Sequence, residues 1–304
     1  MSEQLFKGSL VAIITPFDRK GRVDRKNLEK LVAWHIDEGT DGIVCVGATG
    51  EPLSLSNSER KKIAEICIKT SGKKIPVTVG TGVSDTKQTV KNTELAKKWG
   101  ADGCMVVTPY YNRPSQRGCL LHFKEVAKVG LPVILYNNPG RTGVKLTVET
   151  IVEASQIPGV VAIKEASRDL DLIRSIRKFC SLPILAGEDA LTFDILQEGG
   201  VGAISVIGNL IPRGWKEMIR CAMSGEAKKA KAMSDRYQAL CSALFLETNP
   251  QCIKYAVSLI GKCRGMVRLP LLEPSEKTKV EIKRVLWSLA LPFFKSSIKS
   301  QLKG

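Results

Sequence analysis

Short apolar runs recur along the first two-thirds of the chain, each followed by a longer mixed segment. They begin near Leu10, Ile43, Ile75, Cys104, Val133, Val160, Ile184 and Ala203, at intervals that shrink from 33 to 19 residues. Each interval has room for one strand and one helix. The runs are nearly continuous in apolar residues, as parallel strands buried on both faces must be. Eight such units predict a closed α/β barrel, the (β/α)8 or TIM barrel. A doubly wound sheet is the other parallel architecture. It would carry five to seven strands and a glycine-rich phosphate turn, and Gly80-Thr81-Gly82 lacks the third glycine of that turn.

The entries to the runs repeat as well. Gly39, Gly100 and Gly199 each stand where a helix would end in a left-handed cap just before a strand. Pro76, Pro132 and Pro183 open other strands, where a missing N–H costs least. Ser56 with Glu59 reads as a capping box, and the helix it starts carries Ile63, Ile66 and Cys67 to a stop at Ser71-Gly72. The next helix is expected from Ser84-Asp85 to Trp99-Gly100. After residue 225 the strand signal ends, and 226–246, 250–261 and 275–290 read as helices. The expected division is a catalytic barrel over 1–225 and a helical region over 226–304. The tail 291–304 reads equally as a packed helix or a loose basic end.

The 304 residues are 43% hydrophobic and 25% charged, which supports a large core and excludes a disordered chain. A barrel of this size runs as one domain. No segment approaches the ~20 apolar residues that span a bilayer. The start MSEQLFKGSL has neither the apolar centre of a signal peptide nor the Arg-rich pattern of a transit peptide, so a cytoplasmic protein is expected. Nine scattered cysteines with no CxxC read as reduced, packed thiols, and two histidines away from any cysteine pair give no zinc site. The formal net charge is +16, with +7 of it in residues 261–304. Without a nucleic-acid-binding motif this reads as a solvated basic face.

In a barrel of this kind chemistry sits at the C-terminal ends of the strands. The sixth run, Val160 to Ile163, ends in Lys164. Burial there disfavours an ammonium, and a neutral amine attacks carbonyls; the competing role is a lysine snorkelling to water. The fifth run ends in Tyr136, whose phenol would reach the barrel mouth near Lys164 and pass protons there, or would serve as a core aromatic with a bonded tip. Arg141 follows on a Pro-Gly turn, suited to a bidentate carboxylate clamp or to plain surface charge. Gly47-Ala48-Thr49-Gly50-Glu51 ends the second run with small residues, a hydroxyl and free backbone N–H groups that favour a carboxylate. Tyr110-Tyr111 follows the fourth run on a rim loop, and an interface plug is an equal reading. Gly187 and Ile204 would line the mouth after and within the seventh and eighth runs.

In this order and spacing the motifs resemble the dihydrodipicolinate synthase (4-hydroxy-tetrahydrodipicolinate synthase) family of pyruvate-dependent class I aldolases, from about Gly8 to about Pro270. The resemblance implies that Lys164 forms the Schiff base with pyruvate, that Tyr136 relays protons, and that Tyr111 reaches a neighbouring subunit's site. It implies that Thr49 holds the pyruvate carboxylate, with Gly47, Gly187 and Ile204 around it. It gives Arg141 the carboxylate of the second substrate, L-aspartate-4-semialdehyde, which favours the synthases over the sialic-acid lyases, since those generally lack the arginine. No cofactor is implied. A homo-oligomer, dimer or tetramer, is implied, and no nucleic-acid or membrane partner.

Two positions depart from the family. The synthases usually carry a threonine at position 48, whose hydroxyl bridges the two tyrosines, and Ala48 has none. Pro52, Leu53, Asn57, Arg60, Ser84 and Gln88 match the positions where lysine-inhibited members bind lysine, but few keep the expected chemistry, and Arg60 repels a lysine cation. Weak or absent lysine feedback is the expectation. Ala48 keeps open another pyruvate-dependent 2-oxo-acid aldolase or lyase, and the basic C-terminal part keeps open a non-catalytic polyanion-binding paralogue.

Overall fold

A computed structural model describes residues 5–290. Eight parallel strands pair in sequence order and close, β1 against β8. They are β1 Gly8–Ala12, β2 Gly42–Cys45, β3 Val77–Gly80, β4 Gly103–Val107, β5 Val133–Asn137, β6 Val160–Glu165, β7 Ile184–Ala186 and β8 Gly202–Ser205. The expected barrel is therefore present, and each strand begins within two residues of its apolar run. Helices lie between consecutive strands, and the barrel's last helix, Pro212–Met223, is followed by helices 227–243, 251–259 and 276–288. The tail 291–304 lies outside the described residues.

The local signals behave as their chemistry requires. The Ser56 hydroxyl accepts from the Glu59 N–H while the Glu59 side chain accepts from the Ser56 N–H, starting the helix Asn57–Ser71, which stops at Gly72 with φ 55°. Gly39, Gly100 and Gly199 have φ of 82°, 89° and 87°, the left-handed conformation that a Cβ resists. Side chains of each strand alternate between two cores. Leu10, Val44, Met105, Ile134, Tyr136, Ala162, Leu185 and Ile204 fill the barrel interior, and Val11, Ile43, Cys45, Ile163 and Ile184 pack outward under the helices. All nine cysteines are unpaired, and all but Cys180 are buried. No helix of the described residues is long and apolar enough to cross a membrane.

Both histidines are buried and neutral. Each bonds a threonine through Nδ1, His35 to Thr40 at 3.1 Å and His122 to Thr86 at 3.0 Å, and each Nε2 is sealed without a partner. Burial pushes His122 down to about 4 and His35 to about 3. A histidine whose folded pKa is depressed takes up a proton on unfolding, so its share of stability is lost as pH falls below the unfolded value near 6.5. Compared with a His122→Gln variant, the native chain should lose about 2 kcal/mol between pH 7 and pH 5 in urea unfolding. A pH-independent difference would show that the ring is solvated.

Candidate active site

The C-terminal rim of the strands encloses a cavity of about 360 Å3. Gly47, Ala48, Met105, Tyr110, Tyr136 and Arg141 line it from the barrel, and Asn249, Arg268 and Leu271 from the helical region beyond. A larger hollow of about 560 Å3 lies elsewhere, around Gly130, Pro132, Gly159 and Pro183, but no charged side chain lines it.

Lys164 points into the barrel because the strand alternates: Ala162 and Lys164 face inward, Ile163 outward. It is 5% exposed, so it does not snorkel to solvent. Its strand register sets it beside Tyr136, and its Nζ lies 4.4 Å from the centre of that ring. The next pair in the register, Asn137 and Glu165, faces outward and clamps the two strands. Asn137 Nδ2 donates to Glu165 Oε2 at 2.8 Å, and Glu165 Oε1 accepts the Ser167 N–H at 2.6 Å. Burial pushes the Glu165 carboxyl up, partly offset by these bonds. Gly187 completes the lysine's wall: a Cβ there would lie 3.0 Å from Lys164 Cε and 2.9 Å from Ala166 Cβ, so only glycine fits against this side chain. Ile204 lies in the interior cluster with Tyr136.

The Gly47–Gly50 turn is held from outside the barrel. Thr49 is buried, and its Oγ1 accepts from Asn249 Nδ2 at 3.0 Å. The backbone oxygen of Asn249 accepts from an Arg141 guanidinium nitrogen, also at 3.0 Å. One residue of the helical region thus touches two candidate carboxylate holders. Glu51, next in the turn, sits at φ 57° and is fully buried in an ion pair with Lys254 at 2.6 Å. It also accepts the Arg268 N–H at 3.0 Å, while the Arg268 guanidinium bonds Glu59, Ser54 O and Gly21 O. The Arg268 charge is therefore neutralised. Arg60 and Arg141 are in no ion pair among the described residues, although both line the cavity. The cavity wall is thus net positive, with guanidinium N–H groups left for an anion.

Among the described residues no group of His, Cys, Asp or Glu is arranged to hold a metal. Of the expected site residues, Gly47, Ala48, Tyr136 and Arg141 line the cavity, Lys164 and Ile204 pack next to Tyr136, Gly187 packs against Lys164, and Thr49 is bonded to the cavity residue Asn249. Tyr111 is not among them: it is 95% exposed, with φ 71°, and does not line this cavity, although its neighbour Tyr110 does. Sequence reading did not single out Asn138, Asp189, Asn249, Lys254 or Arg268. Asp189 is buried and accepts the Val206 and Ile207 N–H groups at 3.0 and 2.8 Å. Burial raises its carboxyl to about 7, against the pull of those bonds and of the Lys164 charge. Its one signal was its place just after Gly187 at a strand end; the others follow no local pattern.

A buried lysine and a tyrosine at adjacent strand ends, beside a cationic mouth, define a (β/α)8-barrel lyase of the class I aldolase type. The chain belongs to the dihydrodipicolinate synthetase family, which it matches over residues 5–289. It is 42% identical over 290 residues to the 4-hydroxy-tetrahydrodipicolinate synthase of Thermodesulfovibrio yellowstonii, covering 94% of this chain and 99% of that one. The crystal structure of dihydrodipicolinate synthase from Aquifex aeolicus superposes with a TM-score of 0.92 at 41% identity, over 94% of this chain and 99% of the other. The chloride-inhibited dihydrodipicolinate synthase from Acinetobacter baumannii, solved in complex with pyruvate, gives 0.92 at 37% identity over 93% and 98%.

Proposed function

We propose that the chain condenses pyruvate with L-aspartate-4-semialdehyde through a Schiff base on Lys164, as a 4-hydroxy-tetrahydrodipicolinate synthase of the cytoplasmic lysine and diaminopimelate pathway. The observation that carries this reading is Lys164, buried, beside Tyr136, below a mouth with two uncompensated arginines. Both substrates are carboxylates, and a cationic mouth concentrates them.

The Lys164 amine attacks the keto carbon of pyruvate through its nitrogen lone pair. The carbinolamine loses water, with the Tyr136 proton leaving on that water, and the nitrogen lone pair closes an iminium. The phenolate then takes a proton from the methyl carbon, giving the enamine and restoring the phenol. The enamine carbon attacks the aldehyde of the second substrate, whose carboxylate lies on Arg141; the Tyr136 phenol protonates the new alkoxide, and the resulting phenolate takes a proton from the ammonium of the adduct. The amine of the adduct attacks the iminium carbon, closes the ring and expels the Lys164 amine. Thr49 and the N–H groups of its turn hold the pyruvate carboxylate, with Gly47, Ala48, Gly187 and Ile204 shaping the pocket. The iminium is the electron sink, so the scheme calls for no cofactor.

Tyr111 fits a homo-oligomer, dimer or tetramer. A large aromatic side chain held in the left-handed region and left in water is strained and wasteful in a monomer, and useful when it enters a partner's site. Purified protein supplied with both substrates and coupled to reduction of the product should turn over. Release of pyruvate from sialic acid or related 2-oxo acids, without that condensation, would replace this reading with the lyase one.

Lysine inhibition should be weak. Arg60 donates to Pro52 O at 2.7 Å and lines the cavity next to Leu53 and Tyr110, which leaves a cation, not an anion, where a lysine ammonium would have to sit. An inhibition curve with a midpoint in the micromolar range would contradict this.

A further inference from the structure

We propose that Asn138 is a positioning residue that aims the hydroxyl proton of Tyr136 into the cavity, a task that Ala48 on the same wall has no group to perform. The proposal rests on the reading of Lys164 and Tyr136 as a Schiff-base and proton-relay pair. Asn138 Nδ2 lies 2.7 Å from the Tyr136 hydroxyl oxygen, the shortest contact of that amide. The orientation of the amide is determined by its other end. Oδ1 faces the backbone N–H of Arg141 at 3.3 Å, as the N-cap of the turn Pro139–Thr142. An oxygen must face that N–H, so the nitrogen must face the phenol.

An amide nitrogen is only a donor, so the phenol oxygen must accept. The phenol's own hydrogen is thereby excluded from this side. Among the described residues the hydroxyl has no other hydrogen bond, and its remaining directions open on the cavity that Tyr136 and Ala48 both line. The proton is left for an atom of the substrate or a bound water. When it moves to the departing oxygen of the carbinolamine, the C–O bond breaks, water leaves, and the negative charge stays on the phenol oxygen. The Asn138 N–H already points at that charge and needs no reorganisation. The same side chain braces the turn bearing Arg141, so the relay and the second carboxylate site share one anchor.

Three variants separate this role from capping alone. Asn138→Asp keeps the oxygen that caps Arg141 but presents an acceptor to the phenol, drawing its proton away from the cavity. Its melting temperature should stay near the native one, while kcat and the rate of deuterium exchange at the pyruvate methyl fall about 10–100-fold, with a smaller change in KM for pyruvate. Asn138→Val should lose activity too, and adding Ala48→Thr to it should restore at least about tenfold by returning a hydroxyl beside Tyr136. Native exchange and turnover in Asn138→Asp, or no recovery in the double variant, would overturn the proposal. The native enzyme is first treated with pyruvate and borohydride. Absence of an adduct on Lys164 would overturn the parent reading instead, whereas an adduct with a fully active Asn138→Asp variant defeats the positioning role alone.

Discussion

Replacing Lys164 with alanine is expected to lower turnover on the order of 10^4-fold or more, and to abolish the borohydride-trapped pyruvate adduct. A loss of that size corresponds to about 5.5 kcal/mol of transition-state stabilisation. The reason is that, among the described residues, no other amine is placed to substitute. Lys254 is the other buried lysine among the described residues, and it is held by Glu51 at 2.6 Å behind the turn. The fold should tolerate the change, because the alanine stays on the strand face already occupied by Ala162 and Leu185. The two readouts are independent. Loss of turnover with the adduct retained at another lysine would mean that the site has been misplaced. Loss of both, with an unchanged circular dichroism melt, is the expected result.

Breaking the Glu51–Lys254 pair should produce the largest loss of stability of any single change near the site. Both side chains are sealed from water, at 2% and 0% exposure. Burial lowers the pKa of Lys254, and Glu51 opposes that shift. The ammonium also lies 4.0 Å from the centre of the Phe17 ring. A Lys254→Met variant leaves a carboxylate in a dry site with the Arg268 N–H as its remaining hydrogen-bond donor, which costs about 3–5 kcal/mol. Replacing both partners, Glu51→Gln with Lys254→Met, removes the stranded charge and should recover much of that loss. Urea unfolding of the three variants reads both quantities. A single-variant cost below about 1 kcal/mol would show that water reaches the pair. Because Glu51 ends the turn that carries Thr49, the same variant should also raise KM for pyruvate.

The helical region beyond residue 225 therefore has a function that its place in the sequence does not suggest. Asn249, Lys254 and Arg268 hold the Gly47–Glu51 turn, and Asn249 also holds Arg141. The turn's backbone is strained at Val46 and Glu51, with φ of 56° and 57°. Such a conformation persists where surrounding contacts over-determine it. The loop of Tyr111 and Arg113 is likewise left-handed, with φ of 71° and 43°, and its tyrosine is left exposed by the described residues.

The barrel was legible because its determinants are local. A buried parallel strand is a short apolar run, a helix end takes a glycine, and a strand–helix unit has a characteristic length; all three repeat along the chain. Lys164, Tyr136, Arg141 and the Gly47–Glu51 turn were legible for the same reason, since each stands at the end of such a run, where barrels place their chemistry. What no local pattern contained is the set of contacts that aim these groups. Thr49 and Asn249 are 200 residues apart, Glu51 and Lys254 are 203, and Asn138 bonds a phenol two residues away only because the turn folds it back. A hydrogen bond depends on distances of about 3 Å and on direction. The sequence alone determined which residues stand at the strand ends; only the closing of the barrel and the return of the helical region decided which side chains line the mouth and which are paired, and so which protons and charges remain free for the substrates.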